Sequence, residues 1–306
     1  MTAPRAMARK AIPNRHYGQW IAALVIVAIA AMLVRSIATN DAIQWSKIGA
    51  RLFLPSIIEG LYTTILLTVA SMLLGVVGGI VVAVMRLSDN LVFSRLASAY
   101  IWLFRGTPIL VQILIWFNLA LFFPTLGFGA LSVDTNSVIT PFGAALLGLA
   151  LNEAAYMSEI VRGGILAVDA GQKEAAQALG MSDGRTMKRI VLPQAMRVII
   201  PPTGNELITV LKTTSLVAVI GAGDLLTKAQ AVGAVDFTKM EMLIVASIWY
   251  LLLTTLASIG QARLEKHYGR SLNRDGSRGS MSRLTGFRRS SSPRTGALTP
   301  ALESTT

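Results

Sequence analysis

The sequence predicts an all-α polytopic membrane protein with about six transmembrane helices, and three observations carry that expectation. Charged residues make up 14% of the 306-residue chain and hydrophobic ones 53%, with a mean hydropathy of +0.58, whereas a soluble domain carries about 25% charged residues. Apolar stretches near the length needed to cross the hydrocarbon, about 20 residues, recur along the chain. Lys and Arg gather in alternate intervening loops, the asymmetry that orients helices in a bilayer.

The apolar stretches lie at about 18–37, 58–85, 97–123, 141–163, 194–214 and 241–262. The second contains Gly75-x-x-x-Gly79, a small-residue seam that lets helix backbones approach closely. The third is interrupted by Phe104-Arg105-Gly106-Thr107-Pro108, where the proline should kink the helix and free backbone carbonyls. Arg5, Arg9, Lys10 and Arg15 precede the first stretch, and Arg86 and Arg95 flank the loop after the second. Lys173, Arg185, Lys188, Arg189 and Arg197 fill the segment after the fourth, and Arg263, Lys266 and Arg270 follow the sixth. The opposite loops are poorer, with Arg35, Lys47 and Arg51 in one, none at 124–140, and Lys228 and Lys239 in the last. Both termini are therefore predicted cytoplasmic, and the net charge of +12 is read as positive-inside bias, not a nucleic-acid footprint. The basic start, the apolar run from Trp20 to Val34 and Ser36-Ile37-Ala38 also fit a cleaved signal peptide; the other five spans keep their orientation either way.

The chain divides accordingly into a cytoplasmic N-terminal segment (1–17), an additional transmembrane helix with an outer-face amphipathic segment (18–56), a transport core (57–264) and a basic tail (265–306). Rich in Ser, Arg and Gly, the tail cannot bury enough surface to offset ordering and is expected to be disordered in the cytoplasm.

The residue inventory excludes much chemistry. There is no Cys, and His16 and His267 lie near the ends in polar sequence, so thiol nucleophiles, disulfides and a histidine-based metal or acid–base centre in the core are not expected. Neither H-E-x-x-H nor G-x-S-x-G occurs, and no catalytic residue is assigned. The phosphate loop G-x-x-x-x-G-K-S/T is also missing, so this chain is expected to bind no cofactor, and any ATP and Mg would sit on a partner.

Residues 174–194, EAAQALGMSDGRTMKRIVLPQ, interrupt the apolar sequence. Gln172 to Leu179 favour helix, Gly180 suits a left-handed cap, and Ser182 suits the start of a second short helix. Met187, Ile190 and Val191 give that helix a narrow apolar stripe, and Pro193 marks the entry to the next span. Small residues such as Ala175 and Ala176 would let a helix seat deep in a partner's groove; an amphipathic loop lying on lipid is the plainer alternative.

The spacing Glu174-Ala175-Ala176, Gly180, then Ile190-Val191-Leu192-Pro193 resembles the Glu-Ala-Ala loop of ABC importer membrane subunits, E-A-A-x3-G-x9-I-x-L-P, without gap or substitution. The stretches Phe104–Gln112 and Ala155–Gly164 are similar to the histidine/glutamine-type permeases that import polar amino acids, and the similarity runs over about residues 57–264. The resemblance implies a type I ABC importer permease core of five helices in a bacterial inner membrane. It also implies a second permease subunit (a copy or a paralogue), an ABC ATPase pair, and an extracytoplasmic substrate-binding protein. The loop at 171–193 would then couple to the ATPase through Glu174, Ala175, Ala176, Gly180, Ile190, Leu192 and Pro193.

Polar groups at mid-membrane usually face a cavity or a partner. Asn152, Glu153 and Tyr156 on the fourth span, Arg105 and Thr107 on the third, and Asn205 and Glu206 on the fifth are the candidate substrate pathway. An amino-acid zwitterion needs a carboxylate for its amine, offered by Glu153 or Glu206. Its carboxylate needs a donor, offered by Asn152, Asn205, Thr107 or Arg105. The competing structural reading pairs Arg105 with a glutamate and Glu159 with Arg162 on the same helix. An ion-driven secondary amino acid carrier would also show intramembrane carboxylates, but it would not need the Glu-Ala-Ala spacing, and no inverted repeat of the apolar pattern is visible.

Overall fold

The structure, a computed structural model, describes residues 17–285 except 42, 128, 130 and 131. The expected cytoplasmic segment at 1–17 lies almost wholly outside the described residues, as do residues 286–306 of the tail.

Helix α1 (Tyr17–Ala38) is apolar all round, and no residue of Gly18–Ala38 is buried against the rest of the chain. A helix that is apolar on every face needs lipid or protein around it, so its length and composition qualify it as a span. The segment expected to lie amphipathically at the outer face is instead packed against the chain. Helix α2 (Trp45–Arg51) buries Ile48 against Leu225, Ala229, Met242 and Val245. Polar contacts pin its ends: Gln44 N donates to Glu241 Oε1 at 3.2 Å, Arg51 pairs with Asp236 at 2.7 Å, and Trp249 Nε1 donates to the Leu52 carbonyl at 2.9 Å.

Helix α3 (Pro55–Arg86) opens on a proline at its first turn, where the missing N–H costs nothing. It buries one stripe: Gly60, Thr64, Leu67, Ser71, Gly75 and Gly79. The predicted glycine seam is real, and its partner is helix α7 (Pro141–Leu166). A Cβ on Gly75 would stand 2.5 Å from Glu153 Cγ, and one on Gly79 would stand 2.5 Å from Met157 Cβ. The two backbones touch because neither glycine has a side chain.

The third span departs from the expected single kinked helix over 97–123. Helix α4 (Leu91–Gly106), capped by Asn90 accepting from Val92 N at 2.9 Å, stops at Gly106. Helix α5 (Ile109–Phe117) leaves at 101°. Pro108 removes an N–H and disfavours helix at Thr107, and Gly106 offers no resistance to the turn. Beyond α5 lie a short hairpin of β1 (Thr125–Leu126) and β2 (Val133–Asp134) and the single turn α6 (Thr135–Val138).

Helices α8 (Ala170–Ala178) and α9 (Asp183–Thr186) precede α10 (Leu192–Thr213). α10 continues as a 3₁₀ stretch to Ile220 and turns through Gly221 (φ 66°) and Gly223 (φ 80°). Helix α11 (Leu225–Val235), which the sequence reading left inside a loop, follows at 45°. Its cap, Asp224, is fully buried. It accepts from Leu226 N at 3.1 Å and from Tyr250 Oη at 3.3 Å and bonds the Thr227 hydroxyl, while Thr64 Oγ1 accepts from Leu225 N at 3.0 Å. Helix α12 (Lys239–Thr285) closes the bundle. Its backbone stays helical through residues 265–285, where the sequence predicts a disordered tail. The packed part of α12 ends in good helix formers, Ala262-Arg263-Leu264-Glu265-Lys266, and propagation from a formed helix needs no new nucleus.

Because α3 and α7 touch through glycine, filling that seam should force them apart. Gly79→Leu is expected to destabilise the protein by about 1–3 kcal/mol, the usual range for overpacking, read as a lowered unfolding midpoint in detergent.

Candidate functional site

The 101° break between α4 and α5 leaves the Phe104 carbonyl without the amide of residue 108, because that residue is proline. Two side chains take the place of the missing N–H. Gln112 Nε2 donates to Phe104 O at 2.8 Å, to Thr107 Oγ1 at 2.8 Å and to Thr107 O at 3.1 Å. Asn152 Nδ2 reaches across from α7 to Phe104 O at 2.9 Å and to Gln112 Oε1 at 3.2 Å. The loop is thus held open by polar contacts, and its inner side faces a chamber of about 510 Å³.

Arg105, Thr107, Asn152, Glu153, Tyr156 and Glu206 all line this chamber, so three separate spans contribute to it. Asn205 does not; it is exposed on another side of α10, as expected where successive helical residues point about 100° apart. The donors are also distributed differently from the sequence reading. Both amide hydrogens of Asn152 are engaged at the break, and the Thr107 hydroxyl donates to the Leu103 carbonyl at 2.8 Å. Neither has a proton left for a solute carboxylate.

Arg105 also lines the chamber and carries donors of its own. Its guanidinium lies 5.0 Å above the Tyr156 ring, a cation–π placement that orients it without using its N–H groups. Among the described residues it forms no salt bridge, so the suggested pairing with a glutamate is not made. The other suggested pair is: Arg162 Nη2 stands 2.8 Å from Glu159 Oε2. Glu153 is 4% exposed, and its Oε1 has no hydrogen-bond partner. Glu206 is half-buried on α10 across the chamber. Gln112 was the residue sequence reasoning missed; the signal was a glutamine four positions after Pro108, one helical turn beyond the break.

The Glu-Ala-Ala segment forms a separate feature. Asp169 caps α8 by accepting from Gly171 N at 2.7 Å. Gly180 (φ 75°) ends it with paired bonds, Met181 N to Ala176 O at 3.1 Å and Gly180 N to Gln177 O at 2.9 Å. Ala176 is buried, whereas Glu174 and Ala175 are exposed. Leu179, at the tip, is 84% exposed. The predicted second short helix does not stand alone. Ser182 makes no side-chain cap, and α9 passes through a widened π turn at Met187–Val191 into α10. Pro193 cannot bond back to Arg189, and a wider turn accommodates the missing donor. Ile190 is half-buried there, while Leu192 and Pro193 face outward.

A helical chain with a polar chamber among its apolar spans and an exposed Ala-rich helix beside them has features in common with transport permeases. The chain belongs to the binding-protein-dependent transport system inner membrane components, whose family model matches residues 75–270. It is 46% identical to the arginine transport system permease protein ArgU of Corynebacterium glutamicum, over 87% of this chain and 84% of that one. It is 43% identical to the arginine transport system permease protein ArtQ of Bacillus subtilis, over 68% and 91%. Among solved structures it resembles an amino acid ABC transporter with histidines at a TM-score of 0.62 and 36% identity, covering 70% of this chain and 94% of that one. The chain is thus a multi-pass inner-membrane component of an ABC transporter.

Gln112→Met keeps the volume but removes the three bonds that Gln112 donates at the break and the acceptor that Asn152 uses, leaving Asn152 as the one side chain still bonded to the Phe104 carbonyl. A typical hydrogen bond contributes about 0.5–1.5 kcal/mol net, and a loss of stability of about 1–2 kcal/mol is expected by thermal unfolding in detergent.

Proposed function

We propose that this chain is the permease subunit of an ATP-driven importer of polar amino acids, with cationic, arginine-like solutes as its substrate class. The observation that carries the reading is the charge balance of the chamber: two carboxylates, Glu153 and Glu206, face one guanidinium, Arg105. A cationic amino acid presents the complement, one carboxylate for Arg105 and two cationic groups for the glutamates. A neutral zwitterion would leave one buried carboxylate uncompensated, a costly arrangement away from water. The names of the two arginine-transport relatives support the same class.

Energy enters through α8. Glu174, Ala175, Ala176, Gly180, Ile190, Leu192 and Pro193 form or support the face that docks in a cleft of a separate ATPase subunit, with the exposed Leu179 at its tip. ATP and Mg bind on that partner. Reversing a population from about 1:99 to about 99:1 takes about 5.5 kcal/mol of differential binding, which closure of two ATPase subunits on two permeases supplies. A soluble binding protein delivers solute on the outer face, and both termini lie in the cytoplasm.

Uptake by proteoliposomes holding the assembled complex tests the substrate class. Glu206→Gln is expected to raise the KM for arginine about tenfold, equivalent to about 1.4 kcal/mol, with a smaller effect on a neutral amino acid; equal effects on both would overturn the cationic reading. Gly180→Asp, or reversal of charge with Glu174→Lys, is expected to abolish most uptake while membrane insertion stays normal. Uptake that persists without ATP but follows a proton gradient would favour an ion-driven carrier instead.

A further inference from the structure

α10 joins the coupling segment at its inner end to Glu206 in the chamber, and its weakest point lies between them. Pro201 and Pro202 remove two consecutive amide donors from the helix interior. Thr203 Oγ1 donates to the Ile199 carbonyl at 2.8 Å, a back-bond that commonly bends helices. Gly204 follows, with little helix preference of its own. Left alone, such a segment would flex, and a push delivered at Leu192 would be absorbed before it reached Glu206.

One side chain from another helix occupies this point. Gln261 of α12 is 6% exposed. Its Nε2 donates to the Pro201 carbonyl at 2.5 Å and to Glu265 Oε1 at 3.1 Å. Its carboxamide fills the space where a Cβ on residue 204 would stand, so only glycine admits it. Gln261 Oε1 is buried with no hydrogen-bond partner. An unsatisfied acceptor beside a hinge is suited to gain a partner when the hinge moves.

We propose that Gln261 is a positioning residue that pins the Pro201–Gly204 hinge to α12 and makes it the pivot through which the coupling segment drives the chamber. The inference rests on the ATP-coupled reading above and adds a residue remote from both the docking face and the chamber lining.

The chain has no cysteine, so a single reporter, Thr209→Cys in the chamber wall, can be followed by a membrane-impermeant maleimide without background on this subunit. The full chain assembled with its ATPase is labelled in inverted vesicles, with and without ATP and vanadate. In the reporter parent, the labelling rate is expected to change by up to about 100-fold, as for reversal of a two-state population. Q261M, which keeps the length but removes the donor, and G204A, which displaces the carboxamide, are each expected to collapse this change to near unity while ATP hydrolysis continues. An ATP-driven change that survives in Q261M or in G204A overturns the pivot alone. No change in the parent overturns the ATP-coupled reading and the pivot with it.

Discussion

The molecule depends on satisfying backbone polar groups where a helix is broken inside a membrane. Lipid offers no hydrogen bonds, so irregular backbone at that depth survives only where protein supplies them. The break between α4 and α5 meets this condition with two carboxamides, Gln112 and Asn152, that converge on the Phe104 carbonyl. Of the two, Asn152 also lines the chamber, whereas Gln112 does not. The polar lining and the repair therefore share residues, and Asn152 is as much a structural brace as a wall of the chamber.

The same logic recurs along the chain. Pro193 is accommodated by a π turn, the Pro201 carbonyl takes a bond from Gln261 of α12, and the Gly221–Gly223 turn is followed by a buried aspartate cap on α11. Each irregularity coincides with an intramembrane or near-membrane polar residue bound to it. Few polar side chains are left over, which makes Arg105, Glu153 and Glu206, outside any ion pair among the described residues, the conspicuous exceptions.

Much of this was legible in the sequence, for reasons that differ by element. Long apolar runs mark spans because length and hydropathy are local properties; the Gly75-x-x-x-Gly79 seam was readable because only glycine permits backbone contact. The Glu-Ala-Ala segment stood out as polar sequence inside apolar sequence, and Gly180 marked its cap through a backbone conformation other residues resist. What was hidden depends on tertiary partners. α11 is short, and its cap is satisfied by Thr227 and Tyr250, the latter from another helix. The Phe104 carbonyl freed at Pro108 is met by Asn152 from α7, a partner the local sequence does not reveal. Asn205 and Glu206 are neighbours in sequence, and only the rotation of α10 decides which one meets the chamber.

On the proposed reading, that rotation bears on how one chamber would hold and release the same solute. Glu153 is fixed, because its side chain packs over Gly75 in a seam where two backbones are already in contact. Glu206 rides on α10, beyond a segment weakened by two prolines. The two carboxylates therefore have unequal freedom: one belongs to a rigid wall, the other to a lever. Two carboxylates that share the two cationic groups of the proposed solute hold it tightly only at one separation, since Coulomb energy falls with distance and far faster once water enters. If α10 swings as proposed, affinity changes without any change in the groups present. The permease then needs no chemistry of its own, and moving one wall by a few ångströms is enough to alternate capture with release.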